Sequence, residues 1–79
     1  MNEFEKQLKE NIIKRIAKAR KNGITAMSLD CLMQNIETPS QFLKGAPKGP
    51  NAPYYYKQLF REVCLSNSDI SLFIIPSEI

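Results

Sequence analysis

The side chains with chemistry to offer fall in three places. Tyr54, Lys57 and Arg61 recur at helical spacing within the run Tyr54–Leu65, and Gln58 sits at the edge of the same set. Lys48 lies in the loop just before that run, and Lys18 and Lys21 belong to a basic cluster with Lys14, Arg15 and Arg20. Cations, an aromatic ring and an amide on one helix face are the groups that contact phosphates and base edges. Tyr and Arg are equally the residues that dominate protein–protein hot spots. The same spacing therefore fits two kinds of partner. For the basic cluster, the plainer reading is helix-dipole complementation on a solvated face.

Other chemistries find no footing. The chain has no His and two Cys, which leaves no metal-ligand set and removes the commonest general base. No paired carboxylates, nucleophile–base pair or phosphate-cradling loop is present. No catalytic or metal-ligating residue is assigned, no cofactor is expected, and the chain does not read as an enzyme. Cys31 and Cys64 both fall on expected apolar helix faces, where they are read as reduced core thiols.

These groups must be positioned by a small body. Seventy-nine residues make one domain, 1–79, and a chain of this size buries only about 60–65% of its unfolded surface. Hydrophobic residues at 43% and charged residues at 24% argue against disorder of the whole chain. The net charge of +3 is compatible with nucleic acid without requiring it. The first residues, Met-Asn-Glu-Phe-Glu-Lys, carry no apolar h-region. No run approaches the ~18 apolar residues of a membrane span. No membrane association is expected, and a cytoplasmic location is.

Phe4, Leu8, Ile12 and Ile16 step by four, widened by Ile13 and Ala19, and predict a helix over 3–21. Asn2 caps it, Glu3 and Glu5 suit its first turn, and Asn22-Gly23 ends it. Residues 24–27 read as a short strand. Ser28 caps a helix at 29–35, with Leu29, Leu32, Met33 and Ile36 on one face. Thr38-Pro39-Ser40-Gln41 carries a capping-box pattern and predicts a short helix at 39–44 anchored by Phe42 and Leu43.

Residues 44–53 hold two Gly, three Pro and two Lys, so they cannot pack as an element. A helix follows over 54–65, starting near Asn51 or Ala52, with Tyr56, Leu59, Phe60, Val63 and Cys64 on its buried face. Ser66-Asn67-Ser68-Asp69 is a turn. Residues 70–75 are predicted as a strand pairing with 24–27, with Ile70, Leu72 and Ile74 pointing one way.

The fold expected is α+β and mostly helical: three main helices, one short helix and a minimal two-stranded sheet. The order helix, short strand, helix, helix, strand resembles a winged-helix domain of the helix-turn-helix class. That resemblance rests on Gly23-Ile24-Thr25 before Ser28–Leu32, and on Tyr54–Leu65 running into Ile70–Ile75. The sequence stops where a second wing strand would begin, so the expected wing is truncated. The recognition element is either 54–65 or, in a second register, 39–44.

The resemblance implies a small regulatory protein that binds double-stranded DNA, of phage, plasmid or bacterial type. Lys18, Lys21, Lys48, Tyr54, Lys57, Gln58 and Arg61 are its candidate contacts. The alternative is a small adaptor or inhibitor that binds one protein through the Tyr/Arg face and the Pro-rich loop.

Overall fold

The computed structural model describes residues 2–75. It contains four helices in chain order: α1 (Glu3–Lys21), α2 (Leu29–Asn35), α3 (Ala52–Ser66) and α4 (Ser68–Ser71).

The foundation is α1. Asn2 accepts a hydrogen bond from the Glu5 amide at 2.9 Å and so satisfies one of the orphan donors of the first turn. Phe4, Leu8, Ile12, Ile16 and Ala19 are all buried, which turns the four-residue stride into one continuous stripe. The helix stops at Gly23, whose φ of 84° lies in the left-handed region, and Ile24 N–H closes the end on Ala19 O at 2.9 Å. Ser28 caps α2 through the Cys31 amide, and Leu29 and Leu32 are its buried residues. Phe60, Val63 and Cys64 are the buried residues of α3, with Tyr56 and Leu59 packed partly against the same core.

One core joins these pieces. Leu8, Ile12, Ile16 and Ala19 of α1 meet Leu29 and Leu32 of α2, Phe60, Val63 and Cys64 of α3, and Ile70, Phe73 and Ile74. At the start of α1, the Phe4 ring stands edge-on to Tyr56 with centroids 6.1 Å apart. Near its end, the Arg20 guanidinium lies 5.5 Å from the Phe73 ring centroid. The order along α1 is therefore loop and start of α3 first, then α4 and the residues after it.

Three expectations are corrected. The two-stranded sheet is not there among the described residues, and the truncated wing goes with it. Residues 70–75 are not a strand. Asn67 accepts from the Asp69 amide at 3.0 Å and caps the helical turn α4. The buried residues of this segment are Ile70, Phe73 and Ile74, which is helical spacing, while Leu72 points to solvent. All that remains of the pairing is one isolated parallel bridge between Met27 and Ile74. It is made by Met27 N–H donating to Phe73 O at 3.0 Å and Ile75 N–H donating to Met27 O at 3.1 Å.

The expected helix at 39–44 is also absent, and with it the register that made 39–44 the recognition element. Ser40 Oγ accepts from the Phe42 amide and Leu43 N–H donates to Ser40 O, a run of local turns. A cap needs an apolar face behind it, and here Phe42 is solvent-exposed and Leu43 is half-buried. The third correction concerns the thiols: Cys64 is buried but Cys31 is exposed, one position off the Leu29–Leu32 face.

Two predictions follow from this packing. Gly45 has φ of 89°, and a Cβ built there would collide with the side-chain amide of Asn2, the cap of α1. Gly45→Ala combines a left-handed strain of about 1–3 kcal/mol with a displaced cap. Gly23→Ala, at φ of 84° with nothing within 4 Å of its Cβ, carries the strain alone. Denaturant unfolding should show Gly45→Ala costing about 1 kcal/mol more than Gly23→Ala. Equal costs would mean that Gly45 and the cap are not in contact.

The second prediction concerns Cys64, whose thiol burial pushes from 9.0 to about 12. At alkaline pH the unfolded chain releases this proton while the folded chain keeps it. Stability is thus lost as pH rises from 9 towards 12. Burial raises the Tyr56 phenol as well, against an opposing contribution from Thr38, and its effect has the same sign. Cys64→Ala should lower stability by about 1 kcal/mol at neutral pH and flatten the alkaline loss. In the native protein, Cys31 should label rapidly with a thiol reagent and Cys64 only on unfolding. An alkaline profile unchanged by the substitution would contradict the burial of Cys64.

Candidate interaction surface

Among the described residues the most exposed large apolar one is Phe42, 88% accessible in the loop between α2 and α3. The loop that carries it is fastened on both sides of that residue. At its start, Asn11 of α1 donates to Glu37 O at 2.9 Å. Beyond Phe42, Phe4 N–H donates to Lys44 O at 3.1 Å, so the first turn of α1 uses a free donor to hold the loop. Pro39 and Ala46 are buried on either side of the exposed stretch. Prolines at 47 and 50 fix φ and stiffen the remainder. The aromatic ring is thus displayed by an anchored segment with few free dihedrals.

A shallow cleft opens beside it, lined by Gln41, Phe42, Pro47, Lys48, Gly49 and Ala52. Pro47 also borders a second depression formed with Gly45, Tyr55, Gln58, Leu59 and Glu62, so this proline lines both. Tyr54 and Tyr55 open α3 with 61% and 51% of their surfaces accessible, their rings 5.7 Å apart in an edge arrangement. Phe42 and Pro47 thus share the first cleft with Lys48, Pro47 and Tyr55 share the second depression, and Tyr54 stands edge-on to Tyr55, while Lys44 is exposed two residues after Phe42.

The residues chosen from the sequence divide. Tyr54, Lys57, Gln58 and Arg61 are all exposed on α3, as the spacing predicts. Within that face, however, two pairs are already engaged. Gln58 Nε2 donates to Tyr54 Oη at 2.7 Å. Lys57 Nζ lies 3.7 Å from Asp30 Oδ1, the only ion pair among the described residues, and it puts a carboxylate on the approach to α3. Lys48 belongs to the cleft beside Phe42. Lys18 and Lys21 do not join this set. Lys18 lies fourteen residues along α1 from Phe4, which is about 21 Å at the α-helical rise.

Phe42 and Tyr55 are the surface residues that sequence reasoning missed. The sequence pattern makes Phe42 an anchor of a helix that does not form. Its signal was an aromatic whose i±3 and i±4 neighbours are Pro39, Thr38, Gly45 and Ala46, none able to build an apolar face with it. Among the described residues no helix is long and apolar enough to cross a membrane. Comparison with protein-family models, curated proteins and solved structures finds no match to the chain.

Proposed function

We propose that this chain is a non-enzymatic adaptor that binds another protein through the anchored loop and the start of α3. One observation carries the reading: a phenylalanine held 88% exposed by a loop whose two sides are tied to α1. Exposing a large apolar ring forgoes roughly 1.5–3 kcal/mol of burial, recoverable when a partner covers it. Anchoring reduces the ordering cost of binding.

The partner fitted by this surface is an extended segment with an apolar side chain for the cleft and carboxylates for Lys44 and Lys48. Tyr54 and Tyr55 serve as rigid flanking contacts. The ion pair of Lys57 with Asp30 and the Tyr54–Gln58 hydrogen bond favour this reading over entry of α3 into a DNA groove, since both tie up groups meant for phosphates and bases. A cytoplasmic setting suits it, because a reducing compartment keeps the exposed Cys31 a free thiol.

The test is a cross-linked pull-down with the purified protein, followed by titration of the recovered partner in isolation. Phe42→Ala should weaken that complex by about 2 kcal/mol, near 30-fold. It should leave unfolding stability within about 0.5 kcal/mol of the parent, because the ring contacts little in the free protein. Tyr54→Ala should weaken the complex in the same direction, whereas Lys6→Ala, outside the surface, should not. Retention of the partner by Phe42→Ala at full strength overturns the proposal. So does concentration-dependent self-association that Phe42→Ala abolishes, because the occupant is then a second copy.

A further inference from the structure

The aromatic surface leaves the basic cluster of α1 unused. Lys14, Lys18 and Lys21 are exposed along one side of the helix, and Arg15 is half-exposed beside them. Among the described residues none of the four has a carboxylate within ion-pair distance. Arg20 is the exception within the cluster, turned to the other side over Phe73. Lys14, Arg15 and Lys18 line a cleft with Asn11, Asn35, Ile36 and Glu37. Two amides and three cations meet there against one carboxylate. Asn11 and Asn35 are fixed by hydrogen bonds to Glu37 O and Cys31 O, at 2.9 and 2.7 Å.

We infer that this side of α1 is a second binding site, for the phosphodiester backbone of a nucleic acid, apart from the proposed protein-binding surface. Lys14 to Lys21 covers about 10 Å of helix. Duplex DNA presents a phosphate charge roughly every 1.7 Å of its axis, so each cation can reach a different phosphate. Lysine and arginine side chains hold phosphates without reading sequence, while the amides of Asn11 and Asn35, already donating to backbone carbonyls, form the wall of the cleft.

The neighbouring structure argues against other polyanions. A helix that lies on a membrane needs a free apolar face, and Phe4, Leu8, Ile12, Ile16 and Ala19 are already buried in the core. An acidic protein surface would be anchored by aromatic hot spots, and none lines this cleft. Backbone binding here is independent of sequence, and the cleft has no lining residue in common with the one beside Phe42.

The experiment is fluorescence anisotropy of the whole chain with a labelled random duplex of about 20 base pairs, titrated from about 50 to 200 mM salt. Four contacts predict a slope of log K against log salt near −3.5. Lys14→Gln with Lys18→Gln should reduce the slope by roughly 2 and weaken binding about tenfold at 100 mM. The control is Lys6→Gln with Lys9→Gln, which removes the same charge from α1 outside the cleft, Lys9 lining instead the depression of Val63, Ser66, Asn67 and Ser68. It should change affinity by less than about twofold.

Equal losses in the two double variants overturn the site, because net charge alone then explains the binding. Absence of duplex binding at the lowest salt overturns it as well. So does binding to vesicles of phosphatidylglycerol and phosphatidylcholine with none to duplex. Phe42→Ala should leave the duplex titration unchanged, so failure of this site and failure of the protein-binding reading are read separately.

Discussion

The stripe Phe4, Leu8, Ile12, Ile16 and Ala19 is the surface on which the molecule is assembled. Each neighbour packs where that stripe offers an unfilled place: Tyr56 against Phe4, and α2, α3 and the segment from Ile70 to Ile74 around the rest. Among the described residues there is one core cluster, so the polar side of α1 and the loop must find their places around one buried helix face. The first turn of α1 then serves twice. Its cap, Asn2, sits against Gly45, and its free amide at Phe4 holds Lys44 O. Helix start and loop position are one structural unit.

That unit explains why an aromatic ring can stand in solvent. A floppy loop would let Phe42 collapse onto the nearest apolar surface. Here Asn11 fixes the loop at Glu37 and Phe4 fixes it at Lys44, leaving the tip between two anchors. Most of the available apolar side chains are already in the core, including all three buried residues of α3. The exposed set of Phe42, Tyr54 and Tyr55 is therefore what remains outward at the loop end once the core is satisfied. The cations divide in the same way. Lys48 lines the cleft of Phe42, while Lys14 and Lys18 line a different cleft on α1.

Much of the helical framework was legible because it rests on local rules repeated over several turns. The bounds of α1 and α2 match the spacing and their Asn2 and Ser28 caps, and α3 begins two residues before Tyr54, at Ala52. The misreadings fall where few residues decide. Ile70–Ile75 is apolar at nearly every position, so alternation and helical spacing fit it equally, and the Asn67 cap settles the matter for a helical turn. Thr38-Pro39-Ser40-Gln41 carries a start signal without an apolar face to reward a helix. Cys31 lies one position of helical phase off the buried face, a difference too small for spacing to resolve in so short a helix. The candidate site was half legible. The exposed face of α3 follows from periodicity, but the exposure of Phe42 depends on long-range anchors to Asn11 and Phe4 that no local pattern announces.

Anchoring of the loop is the claim on which the displayed surface depends, and backbone relaxation by NMR tests it directly. If the contacts to Glu37 and Lys44 hold the tip, amide order parameters across residues 41–46 should stand near about 0.8, close to those of a rigid backbone. Values below about 0.6, with α1 still rigid, would show a loop that samples many positions and presents no fixed aromatic surface.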